Sequence, residues 1–309
     1  MRLVTWNIQW GCGIDGRVDL ARIVEMARAL ADFDVLCVQE VADNFPGLEG
    51  NDDADQFARL GALLPGFTRI EGYGVDLAGE GGRRRRFGNA IFSRYGVLAA
   101  RRHALPWPVE RERRTMPRVA VEATVQAPMG ALRITTAHLE YYSETQRRAQ
   151  AVRLRNIHDE ACQRAARWGE QASFDGVPFD ATPQTDRAIP VGDFNFPPEN
   201  PGYADIQAPL AGGGPAYRDA WAILHRPHPH PPTFCVHSTK YSKTPYCCDF
   251  AFVSASLARR VRSIEVDSRT QASDHQPVLL ELDDRYMGPG SIHSSGGRTL
   301  RNMPSSITS

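Results

Sequence analysis

The sequence predicts a single α/β domain whose sheets are mixed or antiparallel. Short apolar runs typical of strands alternate along the chain with segments of helical spacing, which is the pattern of layered α/β proteins. Residues 118–126 and 131–138 form a hairpin pattern around a turn at 128–130, so at least one strand pair is antiparallel. With 309 residues, 42% of them hydrophobic, the chain can bury a large core.

The N-terminal third predicts a strand, a helix and a second strand. Residues 2–8 alternate between apolar and polar positions and place Asn7 at the end of a strand. Helical spacing then predicts a helix over 17–31, with Asp15 or Asp19 as its N-terminal cap. Residues 35–38 are apolar throughout, as in a strand covered on both faces, and they lead directly to Glu40.

The sequence of the middle part of the chain predicts two further helices and three strands. We expect a loop over 42–54, a short helix over 55–64, a second loop over 72–82, strands over 87–93, 118–126 and 131–138, and a long helix over 143–168. Ser143, with Gln146 three residues later, resembles a capping box at the start of the long helix.

The C-terminal third returns to short strands that end in polar residues. A polar stretch over 169–187 precedes a strand over 189–192, which leads to Asp193 and Asn195, and the remaining strands are expected at 248–254, 262–266 and 278–282. After residue 284 the sequence has few apolar anchors. We therefore expect a domain over 1–284 and a flexible tail over 285–309.

Composition excludes several classes of protein. The 36 basic and 36 acidic residues balance, which argues against binding to nucleic acid or membrane through bulk positive charge. The longest apolar runs are too short to span a bilayer, and polar residues by position five do not fit a secretory signal. The six cysteines are scattered without a C-x-x-C pair, so we expect reduced thiols and a cytoplasmic protein. Nothing here indicates an oligomeric state.

Polar residues that can carry chemistry follow the predicted strands or lie at their ends. They are Asn7, Glu40, His138, Asp193, Asn195, Asp249, Asp274 and His275. Strand ends in a layered α/β fold can meet at one edge, where a group of carboxylates needs a cation to offset its charge. Oxygen ligands such as Glu40, Asp274 and Asn7 suit a hard divalent ion, Mg²⁺ in particular, better than they suit zinc.

These residue types match the requirements of phosphate ester hydrolysis. Asp193 can accept a proton from water, and Asn195 can orient that water or a phosphate oxygen. His138 and His275 can donate to the developing charge, and Asp249 can hold an imidazole in its charged form. Taken singly, each motif also fits an ordinary turn or cap. Asp249 is the exception, because a carboxylate in an apolar strand needs a partner.

Seven short motifs occur in an order that resembles the endonuclease/exonuclease/phosphatase superfamily of metal-dependent phosphoesterases. The motifs are Thr5-Trp6-Asn7-Ile8, Val38-Gln39-Glu40-Val41, Gly88-Asn89-Ala90-Ile91-Phe92-Ser93-Arg94, Thr136-Ala137-His138-Leu139-Glu140, Gly192-Asp193-Phe194-Asn195, Cys248-Asp249-Phe250-Ala251-Phe252-Val253-Ser254 and Ser273-Asp274-His275-Gln276-Pro277-Val278. The resemblance covers residues 1–283.

The resemblance implies a four-layer sandwich, with two mixed β-sheets packed face to face and helices outside. It also implies that Glu40 is the principal metal ligand, with Asn7 and Asp274 near the metal or its waters. Asp193, helped by Asn195, would position or deprotonate the attacking water. His275 would stabilise the phosphoryl transition state, oriented by Asp249. His138 matches the histidine of the deoxyribonuclease-like, sphingomyelinase-like and tyrosyl-DNA phosphodiesterase-like branches.

The candidate substrate contacts are Asn7, Asn89, Tyr141 and Arg86. Arg86 ends a run of four arginines, which could contact phosphate or simply form a solvated loop, because Lys240 and Lys243 are the only lysines and arginine occurs throughout the chain. The proline-flanked histidines of 225–230 predict a stiff surface loop rather than a metal site.

The sequence leaves three functions open. We favour a phosphodiesterase that uses Mg²⁺ or Mn²⁺ and acts on a phosphate ester, possibly nucleic acid. The alternatives are a phosphomonoesterase or phospholipid or inositol-phosphate hydrolase of the same fold, and a noncatalytic binding module. No membrane span is expected in any of the three.

Overall fold

The computed structural model describes residues 1–168, 177–178 and 182–285. Its strands are β1 Arg2–Asn7, β2 Val35–Asp43, β3 Thr68–Ala78, β4 Arg84–Ser93, β5 Val97–Ala104, β6 Val119–Ala127, β7 Gly130–His138, β8 Ala188–Asp193, β9 Tyr217–Asp219, β10 Asp249–Ser254, β11 Val261–Val266 and β12 Val278–Leu282. Its α-helices are α1 Leu20–Leu30, α2 Gln56–Leu63, α3 Glu144–Trp168, α4 Pro201–Gln207 and α5 Ala220–His225.

The strands form two six-stranded sheets. The strand order is β11-β12-β1-β2-β4-β3 in the first sheet and β5-β6-β7-β8-β10-β9 in the second. The pairs β1/β2 and β7/β8 are parallel, and the remaining pairs are antiparallel. The expectation of mixed sheets is therefore confirmed.

The two sheets pack face to face because alternate residues of each strand are apolar on both sides. Leu3 and Val35 of the first sheet share the inner core with Ile134 and Val191 of the second. This face-to-face packing forms a continuous apolar core and holds the ends of the central strands together at one edge.

Helices cover the outer face of each sheet. Val4, the residue after the inward-facing Leu3, packs with Ile23 of α1 and Phe57 of α2. On the other side, Leu154 of α3 lies in a cluster with residues of the second sheet such as Phe252. The result is the four-layer sandwich that the family resemblance implied.

Three predicted helix starts are occupied by side-chain caps. Asp19 accepts a hydrogen bond from the backbone of Arg22 at 2.9 Å, and Ser143 Oγ accepts one from Gln146 at 3.1 Å. Asp55 caps α2 in the same way. Only half of the predicted capping box forms, since the Gln146 side chain donates instead to the carbonyl of Pro108 at 2.7 Å.

The predicted loop over 72–82 is wrong for most of its length. Residues 72–78 belong to β3, which pairs with β4. The glycines that suggested a loop are needed for close contact between neighbouring segments: a Cβ on Gly74 would lie 2.4 Å from the carbonyl oxygen of Pro117. Besides β3, four elements were not predicted, namely β5, α4, β9 and α5, because they are short or, as in β5, lack an apolar face.

Two predicted segments lie largely outside the described residues. They are the tail over 285–309, of which only residue 285 is described, and the polar stretch over 169–187. All six cysteines are buried and free of disulfide bonds. Within the described part of the chain, no helix combines the length and the apolar character needed to cross a bilayer.

An ion-paired carboxylate is buried between the second sheet and α3. Glu122 accepts from Arg133 at 3.0 Å and from Arg101 at 3.2 Å, and its side chain is 3% exposed. Burial alone would raise the pKa of Glu122, but His103, Arg133 and Arg101 together lower it to about 2. Glu122 therefore remains ionised in the folded protein at pH values that protonate an ordinary glutamate.

We expect Glu122→Gln to lower the free energy of unfolding by about 3 kcal/mol near neutral pH. Because the pKa of Glu122 is lowered on folding, its contribution is present above about pH 4.5, the ordinary pKa of a glutamate, and is lost as the pH falls towards about 2. Urea unfolding of the parent and the variant across this range measures the difference. Glu265→Gln, at an exposed position, is the control. A difference that stays constant down to pH 2 would contradict the prediction.

Candidate active site

The ends of four central strands and one turn meet at an open edge of the sandwich. Asn7 ends β1, His138 ends β7, Asp193 ends β8, Glu40 lies in the second half of β2, and the turn over 273–276 precedes β12. A cavity of about 340 Å³ opens between them. It is lined by six of the predicted residues with chemistry, namely Glu40, His138, Asp193, Asn195, Asp274 and His275.

The side-chain amide of Asn7 joins the two sheets at this edge. Its nitrogen donates to Glu40 Oε1 at 3.1 Å and to Asp193 Oδ2 at 3.0 Å, and it lies 3.5 Å from His275 Nε2. Its oxygen accepts from the backbone of Gln9 at 3.1 Å. In this arrangement Asn7 is fully buried and acts as a donor between two carboxylates.

Local backbone strain positions two of the site residues. Glu40 has a φ of 60° and lies at an irregularity in the β2/β4 pairing, between Val38 and Val41. Asn195 has a φ of 54°, and its backbone N–H donates to Asp193 Oδ1 at 2.8 Å. Left-handed conformations of this kind cost on the order of 1 kcal/mol and concentrate at functional sites.

Asp193 lies between two histidines. Its Oδ2 is 3.4 Å from His138 Nε2 and 3.7 Å from His275 Nε2. Burial raises the pKa of Asp193 to about 6, although the charge of His275 and the amide of Asn7 act in the opposite direction. A carboxylate with a raised pKa is a better proton acceptor than an ordinary aspartate.

His275 is held as a cation by a chain of hydrogen bonds. Its Nδ1 lies 2.9 Å from Asp249 Oδ2, which also accepts from Thr233 Oγ1 at 2.7 Å. Burial opposes the charged imidazole, but the attraction of Asp249 and Asp193 raises the pKa of His275 well above its ordinary value. Phe234 packs on the ring with centroids 4.5 Å apart and fixes its plane.

His138 has the opposite electrostatic character. Burial lowers the pKa of His138 well below its ordinary value, and the positive charges of Arg118 and His275 lower it further. The site therefore combines one neutral and one charged imidazole on either side of the same carboxylate. Neighbouring groups with opposite pKa shifts are typical of acid–base chemistry.

The carboxylates of the cavity fit a divalent cation. Burial raises the pKa of Glu40 to about 7, repulsion from Asp274 adds to this shift, and burial also raises the pKa of Asp274. A cation between them would remove that cost. The donors that Glu40 and Asp274 offer are oxygen atoms, which Mg²⁺ and Mn²⁺ prefer.

A second geometric cluster does not have the chemistry of a metal site. Ligand atoms of Asp193, Cys248 and His275 lie within 4.8 Å of one another. However, the Cys248 thiol donates to Asp249 at 3.5 Å, and burial raises its pKa well above the ordinary value. Because a metal needs a thiolate and a neutral imidazole, this trio is a poor ligand set.

The candidate substrate contacts are divided between the cavity and its surroundings. Tyr141 lines the cavity. Asn89 is buried, donates to the carbonyl of Val119 at 2.8 Å and borders a smaller neighbouring cavity. Arg86 lies 5.0 Å above the ring of Tyr73, close to Asp43 and Asp76, and is not among the residues that line the large cavity.

The loop of prolines and histidines packs against the second sheet. His230 Nε2 lies 2.5 Å from Asp219 Oδ2, and its ring contacts Phe250 edge-on. Among the described residues, this loop contributes to no group of three His, Cys, Asp or Glu side chains close enough to share a metal ion.

Sequence reasoning missed Arg118 and an apolar wall of the cavity. The antiparallel pair Ala120↔Ala137 places Arg118, just before β6, beside the end of β7. The predicted hairpin could have indicated Arg118, because the start of an antiparallel strand lies at the same edge of the sheet as the end of its neighbour. The apolar residues of the wall are Trp10, Phe45, Leu48, Val75, Phe87 and Met116, which no short motif distinguishes from core residues.

The chain is similar to known proteins in sequence and in fold. Residues 4–275 match the model of the Endonuclease/Exonuclease/phosphatase family. Among proteins with curated descriptions, no sequence matches the chain.

Solved structures of similar fold cover most of the chain. A protein of this family from Beutenbergia cavernae is 22% identical with a TM-score of 0.62, over 92% of this chain and 72% of that one. A mannosyl-6-phosphatase from Bacteroides thetaiotaomicron is 18% identical with a TM-score of 0.61, over 92% and 99%. A 3′ phosphatase from Neisseria, bound to a product DNA hairpin, is 18% identical with a TM-score of 0.54, again over 92% and 99%.

We expect His275 to be an imidazolium and His138 a neutral imidazole in the metal-free protein at about pH 7. Asp249→Asn should lower the pKa of His275, because it removes the charge that holds the proton. Long-range proton–nitrogen correlation spectra, recorded during a pH titration, report both rings. Asp205→Asn on α4 is the control. A His275 that titrates near its ordinary value in the parent would be inconsistent with this assignment.

Proposed function

Because the chain belongs to the endonuclease/exonuclease/phosphatase family, we propose that it is a divalent-metal-dependent phosphoesterase that hydrolyses a P–O bond by direct attack of water. The observation that carries the proposal is the position of Asp193. Its Oδ2 lies 3.0 Å from the amide of Asn7 and within 3.7 Å of the Nε2 atoms of His138 and His275.

In this proposal Asp193 accepts a proton from the attacking water. Its raised pKa, about 6, makes it a stronger base than a solvated aspartate while it remains ionised at neutral pH. The Asn195 amide nitrogen donates to the carbonyl of Leu139 at 2.9 Å, so its side-chain oxygen is the atom left to orient the water.

His275 and His138 stabilise the charge that develops on the phosphoryl oxygens. The His275 imidazolium, fixed by Asp249, supplies a positive charge that needs no rearrangement during the reaction. His138 is neutral and donates a hydrogen bond without adding charge. Together they provide donors on two sides of the position next to Asp193.

Glu40 and Asp274 would hold Mg²⁺ or Mn²⁺, and Asn7 positions Glu40 through its amide nitrogen. A divalent cation bound there supplies Lewis-acid stabilisation of the phosphate oxygens. The carboxylates of Glu40 and Asp274 would be ionised in that state, because the cation offsets the repulsion between them.

A phosphodiester, possibly in nucleic acid, is the favoured substrate. A groove of about 460 Å³ continues from Tyr141 and Asn195 and is lined further by Arg113, Tyr142, Arg147, Pro197 and Tyr246. Arginine and tyrosine along one groove suit an extended chain of phosphates and bases. The second candidate is a phosphomonoester, which is favoured by the two structural relatives named as phosphatases.

The substrate class and the metal requirement can be tested together. We expect turnover of bis(4-nitrophenyl) phosphate with Mg²⁺ or Mn²⁺, loss of turnover with a chelator, and slower turnover of 4-nitrophenyl phosphate. Glu40→Gln should raise the metal concentration needed for half-maximal rate by about tenfold or more, since it removes a charged ligand. Glu25→Gln, on the exposed side of α1, is the matched control.

Faster turnover of 4-nitrophenyl phosphate than of bis(4-nitrophenyl) phosphate would support the second candidate, a phosphomonoesterase. Absence of turnover on either ester, with any of the metals, would leave a noncatalytic binding module and reject the proposal. Unchanged turnover in the presence of chelator would reject its metal-dependent part.

The roles of Asp193 and His275 give a second prediction. Asp193→Asn and His275→Ala should each lower kcat by about 10²–10³-fold, the usual loss when a general base or a transition-state donor is removed. Steady-state kinetics at saturating metal measures this, and thermal unfolding confirms that the variants fold. Rates within a few-fold of the parent for both variants would show that the mechanism is wrong.

A further inference from the structure

A buried arginine at the cavity has an unused donor. Arg118 is 7% exposed, and its Nε donates to Glu140 Oε2 at 3.2 Å. Its Nη1 is enclosed and has no hydrogen-bond partner among the described residues. A buried charged donor without a partner is costly, so Arg118 would gain a hydrogen bond from an acceptor brought within its reach at the cavity that it lines.

Arg118 is well placed to meet a phosphate ester bound at the site. It is the only arginine or lysine among the described residues that line the large cavity, and it shares that lining with His138. A small second cavity is bordered by Arg118, His138, Phe87 and Met116 together. Arg118 therefore lies between the proposed reaction centre and the apolar side of the cavity.

The backbone that carries Arg118 is held closely against β3. A Cβ on Gly74 would lie 2.4 Å from the carbonyl oxygen of Pro117 and 3.2 Å from the Cα of Arg118. The hydrogen bond to Glu140, which is 1% exposed, restrains the guanidinium from the other side. These two contacts fix the arginine in advance of binding, which limits the entropy lost when it contacts a ligand.

The apolar wall next to Arg118 is continuous. Phe45 and Phe87 pack edge-to-face with centroids 6.2 Å apart, and Leu48, Val75 and Met116 extend the same surface. Apolar walls with a few convergent polar groups are typical of small-molecule sites. Neither the metal nor the water attack requires such a wall, so it fits a part of the substrate other than the phosphate.

We propose that Arg118 is a substrate-binding residue that donates to an oxygen of the phosphate ester, and that the apolar wall holds a ring-bearing, apolar substituent of the same ester. This inference rests on the proposed function, because it takes the phosphate to lie beside Asp193 and the two histidines. It narrows the substrate to esters in which an apolar ring lies close to the phosphorus.

Binding of two stable phosphonates tests the proposal without turnover. Isothermal titration calorimetry with Mg²⁺ compares phenylphosphonate with methylphosphonate, which share the anionic group and differ in the apolar substituent. We expect the parent protein to bind phenylphosphonate at least about tenfold more tightly. Leu48→Ala, which shortens a partly exposed residue of the wall, should reduce this preference. Equal affinity of the parent for both ligands would overturn the assignment of the wall.

Variants of Arg118 test the second half of the proposal. Arg118→Gln should weaken the binding of both phosphonates by about tenfold or more, and Arg118→Lys should restore part of that loss because it keeps the charge. Arg94→Gln, which removes a surface arginine paired with Asp32, is the matched control. Unchanged affinity in a folded Arg118→Gln variant would show that the arginine has a structural role only.

Kinetics separates this inference from the proposed function. In turnover assays with phenyl and methyl 4-nitrophenyl phosphate, Arg118→Gln should raise KM more than it lowers kcat. If the parent hydrolyses both esters but neither Arg118 nor the wall affects binding, the inference alone fails. If the parent hydrolyses neither, the proposed function fails, and the phosphonate titrations still decide whether Arg118 and the wall bind such ligands.

Discussion

The carboxamide of Asn7 is the contact on which the geometry of the site depends. It lies at the end of a central strand of the first sheet, and it donates both to Glu40 of that sheet and to Asp193 of the second. The apolar core brings the two sheets together but does not by itself fix their relative position to within a hydrogen-bond length. A directional bond between buried groups does so, because misalignment costs each carboxylate its hydrogen bond from the Asn7 amide. The proposed metal ligand, Glu40, and the proposed base, Asp193, are thereby held in a fixed position relative to each other.

The electrostatics of the site follow from this arrangement. Three carboxylates and two imidazoles are withdrawn from water into one cavity, so each group responds strongly to its neighbours. Asp249 holds His275 as a cation, whereas burial, together with the positive charges of Arg118 and His275, keeps His138 neutral. The same fold thus supplies donors of two different charges to one carboxylate. The charge of His275 offsets the negative charge of Glu40 and Asp274 only in part, and the remaining charge favours the binding of a divalent ion between the two carboxylates.

Much of the fold and most residues of the candidate site could be predicted from the sequence, for a definite physical reason. Asn7, Asp193 and His138 each come directly after an apolar strand, and such patterns depend only on local spacing. The edge strand β3 was missed because its glycines serve close backbone contact, which is a tertiary requirement. Arg118 was missed because arginine is abundant, and only the β6/β7 register reveals its neighbour. The local sequence does not show which residues far apart in the chain lie close together in the folded protein.

The cavity has two parts, the group of acid–base residues and the apolar wall. This division affects how the substrate specificity of such a protein can change during evolution. Its reactive groups come from the ends of central strands in both sheets, where any change disturbs the sandwich. The apolar wall comes largely from the β3/β4 edge and the segment over 45–48, apart from the strand ends that carry the acid–base residues. Mutations can therefore accumulate at the edge while the centre is preserved. A scaffold built in this way can acquire new specificities by exchanging one hairpin and one loop, and libraries for directed evolution would be placed there.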